Sequence, residues 1–259
     1  MIPQRIAVLA TSPQKRPEAQ ALAVRLGIPY IADLKESAAL YDYLLVLTPD
    51  YLALQKTSDT KQAPFHIDYL SGKLRYRSKQ AGLRNELLAR AMGINPRCQP
   101  VIVDATAGLG RDSFILATLG FHIILLERSP ILYVLLEDAL QRAQKDPNIA
   151  LITNRLRLIE TDAITWLQSL PRSQRPDIIY LDPMFPPRKK SASVKKEMVI
   201  LQNLLGKDED ANMLFEVALS CAASRVVVKR PRTAVNIAER APHFSILGKS
   251  NRFDIYLTS

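Results

Sequence analysis

The sequence V-I-V-D-A-T-A-G-L-G-R-D-S-F-I-L-A-T-L occupies residues 101–119. An apolar, β-branched run ends at Asp104, glycines follow at Gly108 and Gly110, and helix-forming residues begin at Arg111. Glycine permits a tight turn and the close approach of a ligand to the backbone. Free N–H groups at the start of a helix can bind an anionic group. This stretch therefore predicts a strand, a ligand-binding loop and a helix.

The same alternation of strand and helix continues to the end of the chain. Further strands are predicted at residues 122–127, 156–160, 177–181 and 225–229, with helices at 130–143 and 211–223. Two more strands, at 244–248 and 252–257, enclose a short polar turn and predict an antiparallel hairpin. This order is typical of an α/β fold with a parallel sheet, helices on both faces and a closing hairpin.

The N-terminal part lacks this regular alternation. Strands are predicted at residues 6–10 and 43–47, and a helix at 17–26. We therefore expect a small N-terminal α+β subdomain over residues 1–80 and the main domain over 81–259.

The charge balance of the chain indicates what kind of partner it binds. The 259 residues include 35 Lys and Arg against 25 Asp and Glu, giving a net charge of +10. This excess favours a polyanion such as nucleic acid, although an ordinary basic enzyme has the same composition. No apolar run approaches the length that spans a bilayer. Two cysteines without a C-x-x-C pair predict neither a disulfide framework nor a zinc site, so we expect a cytoplasmic protein without metal.

Acidic residues end or follow four predicted strands, at the sheet edge where ligands bind in such folds: Asp104, Glu127, Asp162 and Asp182. Glu127 can accept both hydroxyl protons of a ribose, or can simply be a solvated acid. Asp162 can accept from an adenine amine, with the Ala163 N–H reaching a ring nitrogen, or can cap the next helix. We expect the glycine loop and Asp182 to meet at this edge.

The glycine loop differs from that of a dinucleotide-binding protein. Ser113 stands where the third glycine of that fingerprint is expected. Asp104 and Asp112 flank the loop, and these acids would repel a diphosphate but suit an amino or sulfonium group. These features argue against a nicotinamide-dependent dehydrogenase.

The segment L-D-P-M-F-P-P at residues 181–187 follows an apolar strand. Asp182 and the carbonyl of Pro183 can accept the two hydrogens of an amine, and Phe185 offers a face on which a base can stack. The alternative is a rigid turn with Phe185 in the core.

These motifs together resemble class I S-adenosylmethionine (SAM)-dependent methyltransferases. The quoted segments are D-A-T-A-G-L-G-R-D at 104–112, L-L-E-R at 125–128, T-D-A at 161–163 and L-D-P-M-F-P-P at 181–187. More narrowly, D-P-M-F-P-P-R-K-K-S-A-S-V-K-K-E-M and F-H-I-D-Y-L-S-G-K-L-R-Y-R resemble the bacterial small-subunit ribosomal RNA guanine-N2 methyltransferase J family, over residues 65–259.

The resemblance implies a seven-stranded, Rossmann-like methyltransferase sheet, SAM as cofactor, and methylation of the N2 amine of a guanine in 16S ribosomal RNA. The expected catalytic residues are Asp182, Pro183 and Phe185. The residues expected at the cofactor are Asp104, Gly108, Gly110, Arg111, Asp112, Glu127, Arg128, Asp162, Ala163 and Asp182. Met184 departs from the D-P-P-Y motif of enzymes that methylate adenine, which argues against adenine as substrate.

Basic clusters near the predicted site are candidates for contact with RNA phosphates. The expected RNA-binding residues are Lys73, Arg75, Arg77, Arg188, Lys189, Lys190, Lys195, Lys196, Lys229 and Arg230. Each cluster taken alone is more typical of a solvated charged face, whereas three clusters near one sheet edge favour phosphate contact. The N-terminal subdomain is a further candidate for RNA contact.

Two alternative functions remain open at this stage. The same D-P-x-F chemistry serves DNA or protein amine methyltransferases, and a methyltransferase fold can also serve as a non-catalytic RNA-binding assembly factor. The expected partner is ribosomal RNA or the small ribosomal subunit, with no membrane or metal. The sequence leaves the oligomeric state open, with a monomer favoured.

Overall fold

The structure, a computed structural model, describes residues 5–33, 40–59, 63–93, 99–183 and 210–258, without the side chains of Lys73 and Arg75. The strands are β1 (Ile6–Ala10), β2 (Tyr30–Ile31), β3 (Tyr43–Leu47), β4 (Leu52–Lys56), β5 (Ile102–Asp104), β6 (Ile123–Glu127), β7 (Leu156–Glu160), β8 (Ile178–Leu181), β9 (Arg225–Pro231), β10 (Phe244–Leu247) and β11 (Asn251–Leu257). The helices are α1 (Arg16–Leu26), α2 (Gly72–Gln80), α3 (Leu87–Met92), α4 (Arg111–Thr118), α5 (Pro130–Gln144), α6 (Ala150–Thr153), α7 (Ala163–Ser169) and α8 (Ala211–Cys221).

These residues form two compact units. One contains the described residues up to Tyr69 together with Ser129–Arg142, and the other contains Leu70–Arg128 with the described parts of 143–186 and 207–259. Helix α2 thus belongs to the second unit. The expected boundary at residue 80 stays a prediction.

The first unit is built on a four-stranded sheet with the order β2-β1-β3-β4. Strand β1 is parallel to β2 and β3, whereas β4 is antiparallel to β3. Alternate residues of β1, Ala7 and Leu9, pack with Ile31, Leu44 and Val46 in its core. Helix α1 ends at Gly27, whose φ of 63° is accessible to glycine without strain.

The second unit contains a seven-stranded sheet with the order β10-β11-β9-β8-β5-β6-β7. Strands β5 to β9 run parallel, and β11 is antiparallel to both β9 and β10. The predicted seven-stranded α/β sheet with its closing hairpin is confirmed. Because β5 pairs with both β6 and β8, the direction of winding reverses there, and such switch points are where ligands bind.

Helices pack against this sheet, and the apolar side chains of its strands are buried beneath them. Every residue of β8 is buried, which suits its run of apolar and aromatic side chains. On one face, Phe215 of α8 packs in a core with Val226 and Val228 of β9. This packing fixes where the strands end, and therefore where the side chains that follow them lie.

Two local features were not predicted. Phe65 makes an isolated bridge with Leu54. The basic stretch at 73–79, for which no element was predicted, is helical as part of α2. Within the described residues, no helix has the length and hydropathy required to cross a bilayer.

Candidate active site

The carboxyl ends of β5, β6, β8 and β9 bring acidic and basic residues to one edge of the larger sheet. Asp104 is the last residue of β5 and lies in register with Tyr180 of β8. Leu181 pairs with Val228 of β9, so the residues that follow them, Asp182 and Lys229, lie side by side. The edge predicted to carry the chemistry is thus assembled from strands distant in sequence.

The glycine loop is held against the end of β6. The N–H of Gly108 donates to Glu127 Oε2 at 3.0 Å, and the N–H of Ala107 donates to the carbonyl of Leu126 at 3.2 Å. Gly108 and Gly110 have φ values of 54° and 63°, a left-handed conformation that favours glycine. The loop and the buried Glu127 carboxylate therefore form one fixed surface.

Asp104 is buried beneath this loop. Its carboxylate accepts hydrogen bonds from the N–H of Thr106 at 3.1 Å and from the hydroxyl of Ser113 at 2.5 Å. Burial raises the pKa of Asp104 to about 7, and the negative charges of Asp112 and Asp182 add to this effect. Through these hydrogen bonds Asp104 stabilises the conformation of the loop.

A second hydrogen bond ties the loop to the end of β8. The N–H of Asp182 donates to Thr106 Oγ1 at 2.6 Å. The structure thus brings together the glycine loop and the Asp182 corner, as the sequence led us to expect. Pro183 follows and is buried, whereas Phe185 lies outside the described residues.

Asp112 lies at the start of α4 and accepts three side-chain donors. Arg77 Nη1 donates to its Oδ1 at 2.9 Å, while the Tyr180 hydroxyl and Lys229 Nζ donate to its Oδ2 at 2.8 and 2.7 Å. Although burial opposes ionisation, Lys229 and Arg77 lower the pKa of Asp112 to about 2. Arg77 also forms a two-pronged ion pair with Glu86.

Lys229 joins this cluster to Asp182. Its Nζ donates to Asp182 Oδ2 at 2.7 Å, the same distance at which it meets Asp112. Burial raises the pKa of Asp182, whereas the positive charge of Lys229 opposes that rise. Burial alone would lower the pKa of Lys229, but the two carboxylates outweigh it and raise that pKa.

The remaining residues expected at the cofactor lie around the same edge. Asp162 caps α7, because its Oδ1 accepts both the N–H and the hydroxyl of Thr165 at 2.9 Å. Arg128 forms an ion pair with Asp210 at 2.5 Å. Arg111 is exposed in the first turn of α4.

The structure changes the interpretation of three residues expected to bind RNA. Arg77 and Lys229 are engaged by carboxylates within the site. Arg230 is only 5% exposed and donates to the carbonyl of Val235. In these positions the three side chains are engaged by protein acceptors, and their contact with RNA stays a prediction.

The side chains of the other seven expected RNA-binding residues lie outside the description. Lys73 and Arg75 lie on α2, and their side chains are outside the description. A further set lies outside the described residues: Arg188, Lys189, Lys190, Lys195 and Lys196.

Sequence reasoning missed several members of the site. Thr106 stands inside the D-A-T-A-G motif, and its position two residues after Asp104 was the available signal. Tyr180 belongs to an apolar strand and gave no signal that its hydroxyl meets Asp112. Glu86 and Ser113 carried no signal in the sequence either, because their roles depend on partners that folding brings close.

Comparison with known proteins shows which family the chain resembles. A family model described as "Putative SAM-dependent methyltransferase" matches residues 32–258. The ribosomal RNA small subunit methyltransferase J of Nitrosococcus oceani is 47% identical, over 93% of this chain and 93% of its own length. The protein of the same name from Thioalkalivibrio sulfidiphilus is 44% identical, over 98% of each chain.

A solved structure extends the likeness to three dimensions. The crystal structure of a SAM-dependent methyltransferase from Neisseria gonorrhoeae matches with a TM-score of 0.75 and 31% identity, covering 97% of this chain and 96% of that one. That structure shares the fold of this chain, and the curated relatives match it over nearly its full length. The chain therefore belongs to the ribosomal RNA small subunit methyltransferase J family of SAM-dependent methyltransferases.

Proposed function

We propose that this protein transfers a methyl group from SAM to the exocyclic N2 amine of a guanine in 16S ribosomal RNA. The observation that carries the proposal is the placement of Asp182 against the glycine loop, through its hydrogen bond to Thr106. The names of the relatives supply ribosomal RNA of the small subunit as the substrate class. The choice of guanine N2 comes from the family resemblance of the D-P-M-F segment.

The residues of this edge fit the cofactor. Glu127 presents a buried carboxylate beside the loop for a ribose, and the loop leads directly into the start of α4. Within the Asp182 cluster, the carboxylates of Glu86, Asp112 and Asp182 face the two cations Arg77 and Lys229. This negative balance suits the positive charges of a sulfonium and an ammonium group.

Other residues of the expected set complete the proposed cofactor site. Asp162 and Ala163 would face the adenine, and Arg128 would border it. Asp112 is proposed to act through Lys229 and Arg77, because all its described hydrogen bonds are to protein donors.

Bound SAM supplies an electrophilic methyl group. The guanine amine is a poor nucleophile because its lone pair is delocalised into the ring, so orientation is the main task of the protein. Asp182 and the carbonyl of Pro183 hold the two amine hydrogens, and Phe185 is proposed to stack on the base. As the N–C bond forms and the S–C bond breaks, the nitrogen becomes acidic and its proton passes to Asp182 or water. The target base must leave its stack to reach this corner.

The proposed RNA contacts come from two basic segments of the chain, one of which is α2. On α2, Lys79 is exposed and Tyr76, which is 69% exposed, offers a face for base stacking; Lys73 and Arg75 belong to the same helix. The second proposed segment comprises the basic residues between 188 and 196. The N-terminal residues 1–80 are proposed to contribute further RNA contacts.

The cellular setting follows from the substrate. The protein is proposed to act in the cytoplasm, on ribosomal RNA or on the small ribosomal subunit, and as a monomer because the described site is contributed by residues of one unit of one chain.

The test is methyl transfer from labelled SAM to separate RNA, DNA and protein fractions, with mass spectrometry of nuclease-digested ribosomal RNA. We expect label in small-subunit RNA as N2-methylguanosine. Label in DNA or protein would assign a different amine substrate. RNA binding without transfer would identify an assembly factor instead of an enzyme.

A further inference from the structure

Lys229 is shared between two carboxylates at the end of β9. Its Nζ lies 2.7 Å from Asp112 Oδ2 and 2.7 Å from Asp182 Oδ2, and its side chain is 25% exposed. Among the described residues, no donor is hydrogen-bonded to the other oxygen of Asp182, Oδ1. The two oxygens of Asp182 are thus differentiated before any substrate arrives.

Lys229 is held in place independently of Asp182. Its second partner, Asp112, is fixed by Arg77 Nη1 at 2.9 Å and by the Tyr180 hydroxyl at 2.8 Å. Arg77 is fixed in turn by Glu86. Since a charged, hydrogen-bonded partner of this kind restricts a long lysine side chain, the ammonium group has a defined position relative to β8.

We propose that Lys229 is a positioning residue for methyl transfer, which fixes Oδ2 of Asp182 and leaves Oδ1 to accept a hydrogen from the substrate amine. The proposal rests on the function proposed above for Asp182. Lys229 acts through Asp182 and is not itself assigned to touch the guanine. This role replaces the phosphate contact expected for Lys229 from the sequence.

The charges around Asp182 explain why this residue needs a cation. It is faced by Lys229 from β9, by Asp112 from α4 and by Asp104 from β5, while Tyr180 precedes it on β8. Burial and the charge of Asp112 favour the protonated form of Asp182, and Lys229 favours the ionised form. Arg77 and Glu86 act one step further away, through Asp112. Without Lys229, a protonated Asp182 would be a weaker acceptor for the amine.

The test compares Lys229→Met with Lys229→Arg in the cofactor-free protein. The titration of the Asp182 carboxyl is followed by carbon NMR, with the signal assigned by its loss in Asp182→Asn. We expect the midpoint to rise by about one pH unit or more in Lys229→Met, and by less in Lys229→Arg because that variant keeps the positive charge. Lys145→Met, on an exposed lysine after α5, is the matched control and should leave the midpoint unchanged.

The same variants are then assayed for RNA methylation across pH. We expect the acidic limb of kcat in Lys229→Met to move upward with the NMR midpoint, while the affinity for S-adenosylhomocysteine stays within about threefold of the wild type. An unchanged Asp182 midpoint in folded Lys229→Met overturns the proposal. If Lys229→Met does not fold, Lys229→Gln gives the same comparison. A wild-type protein that methylates no RNA contradicts the proposed function instead, since the NMR titration requires no substrate.

Discussion

The backbone N–H of Asp182 donates a 2.6 Å hydrogen bond to the side-chain hydroxyl of Thr106. These residues are 76 positions apart and follow two adjacent parallel strands, β5 and β8. The bond joins the loop proposed to hold the cofactor to the corner proposed to hold the substrate amine. Together with the pairing of β5 and β8, this hydroxyl group sets their separation, which makes Thr106 a sensitive position.

Replacing this hydroxyl should damage both stability and activity. Thr106→Val keeps the side-chain shape but leaves the Asp182 N–H without its acceptor. We expect a loss of about 1–3 kcal/mol in the free energy of unfolding and a fall in kcat of roughly tenfold to a hundredfold. Urea denaturation and steady-state methylation measure the two effects. Thr106→Ser keeps the hydroxyl, so equal losses in both variants would contradict this assignment.

Glu127 should determine affinity for the cofactor. Its carboxylate is buried at the loop and accepts the Gly108 N–H, so Glu127→Ala removes a charged acceptor proposed for the ribose. We expect the Kd of S-adenosylhomocysteine, measured by calorimetry, to rise by roughly 10- to 100-fold. Glu160 pairs with Glu127 in register at the end of β7 and provides the control. If Glu160→Ala weakens binding as much as Glu127→Ala does, the ribose role of Glu127 is wrong.

Variants of two buried tyrosines in the same sheet should distinguish an effect on the site from an effect on stability. The Tyr180 hydroxyl donates to the Asp112 carboxylate at 2.8 Å, whereas the Tyr256 hydroxyl donates to the Arg240 carbonyl at 3.1 Å. Tyr180→Phe should cost about 1.5–3 kcal/mol in unfolding free energy and lower kcat, because a bond to a charged group is lost. Tyr256→Phe should cost about 1 kcal/mol and leave kcat unchanged. A kcat loss common to both variants would argue against a network around Asp112.

The buried carboxyl of Asp104 should make stability depend on pH. Its pKa is raised to about 7, whereas the unfolded chain releases this proton near pH 4. Between these values the folded state holds a proton that the unfolded state has lost, so this group destabilises the fold progressively as pH rises from about 4 to 7. The contribution is up to about 4 kcal/mol and is constant above that window. Denaturation of wild type and Asp104→Asn across pH should give profiles that diverge within the window, and parallel profiles would contradict the raised pKa.

Binding to small-subunit RNA should weaken steeply with salt. A protein that contacts several phosphates loses affinity strongly between about 50 and 200 mM salt. Lys79→Ala, on the exposed part of α2, should reduce the slope of log K against log salt by about one. Arg172→Ala is the control, since Arg172 is exposed before β8, at the opposite edge of the sheet from Asp182. An equal change of slope in both variants would remove α2 from the proposed RNA contacts.

Strand bounds were predicted best where local pattern and burial agree. Strand β3 was predicted and observed at Tyr43–Leu47, and all its residues are buried. Strand β9 was predicted to end at Lys229 but continues to Pro231, because β11 pairs with it through Asn251↔Pro231. Strand β4 was missed, since L-A-L-Q-K has no alternating pattern and its pairing with β3 decides its conformation.

The basic residues after Val228 show why charge patterns alone are insufficient. Lys229 and Arg230 resemble a phosphate-binding cluster in sequence. In the structure they are part of the extended β9, and neighbouring residues of a strand point to opposite faces. Lys229 therefore meets Asp112 and Asp182, while Arg230 is buried and bonded to Val235.

The amino-acid pattern alone was sufficient for the alternation of strands and helices in the larger sheet, the glycine loop at 108–110 and the acids at the ends of its strands, because each depends on neighbouring residues. The ion pairs that Asp112 forms with Arg77 and Lys229 were decided by folding alone. Arg77 and Asp112 are 35 positions apart, and Lys229 and Asp112 are 117 apart. No local preference encodes such pairs; they form because parallel strands from distant segments end at one edge of the sheet, where partly buried charges require partners.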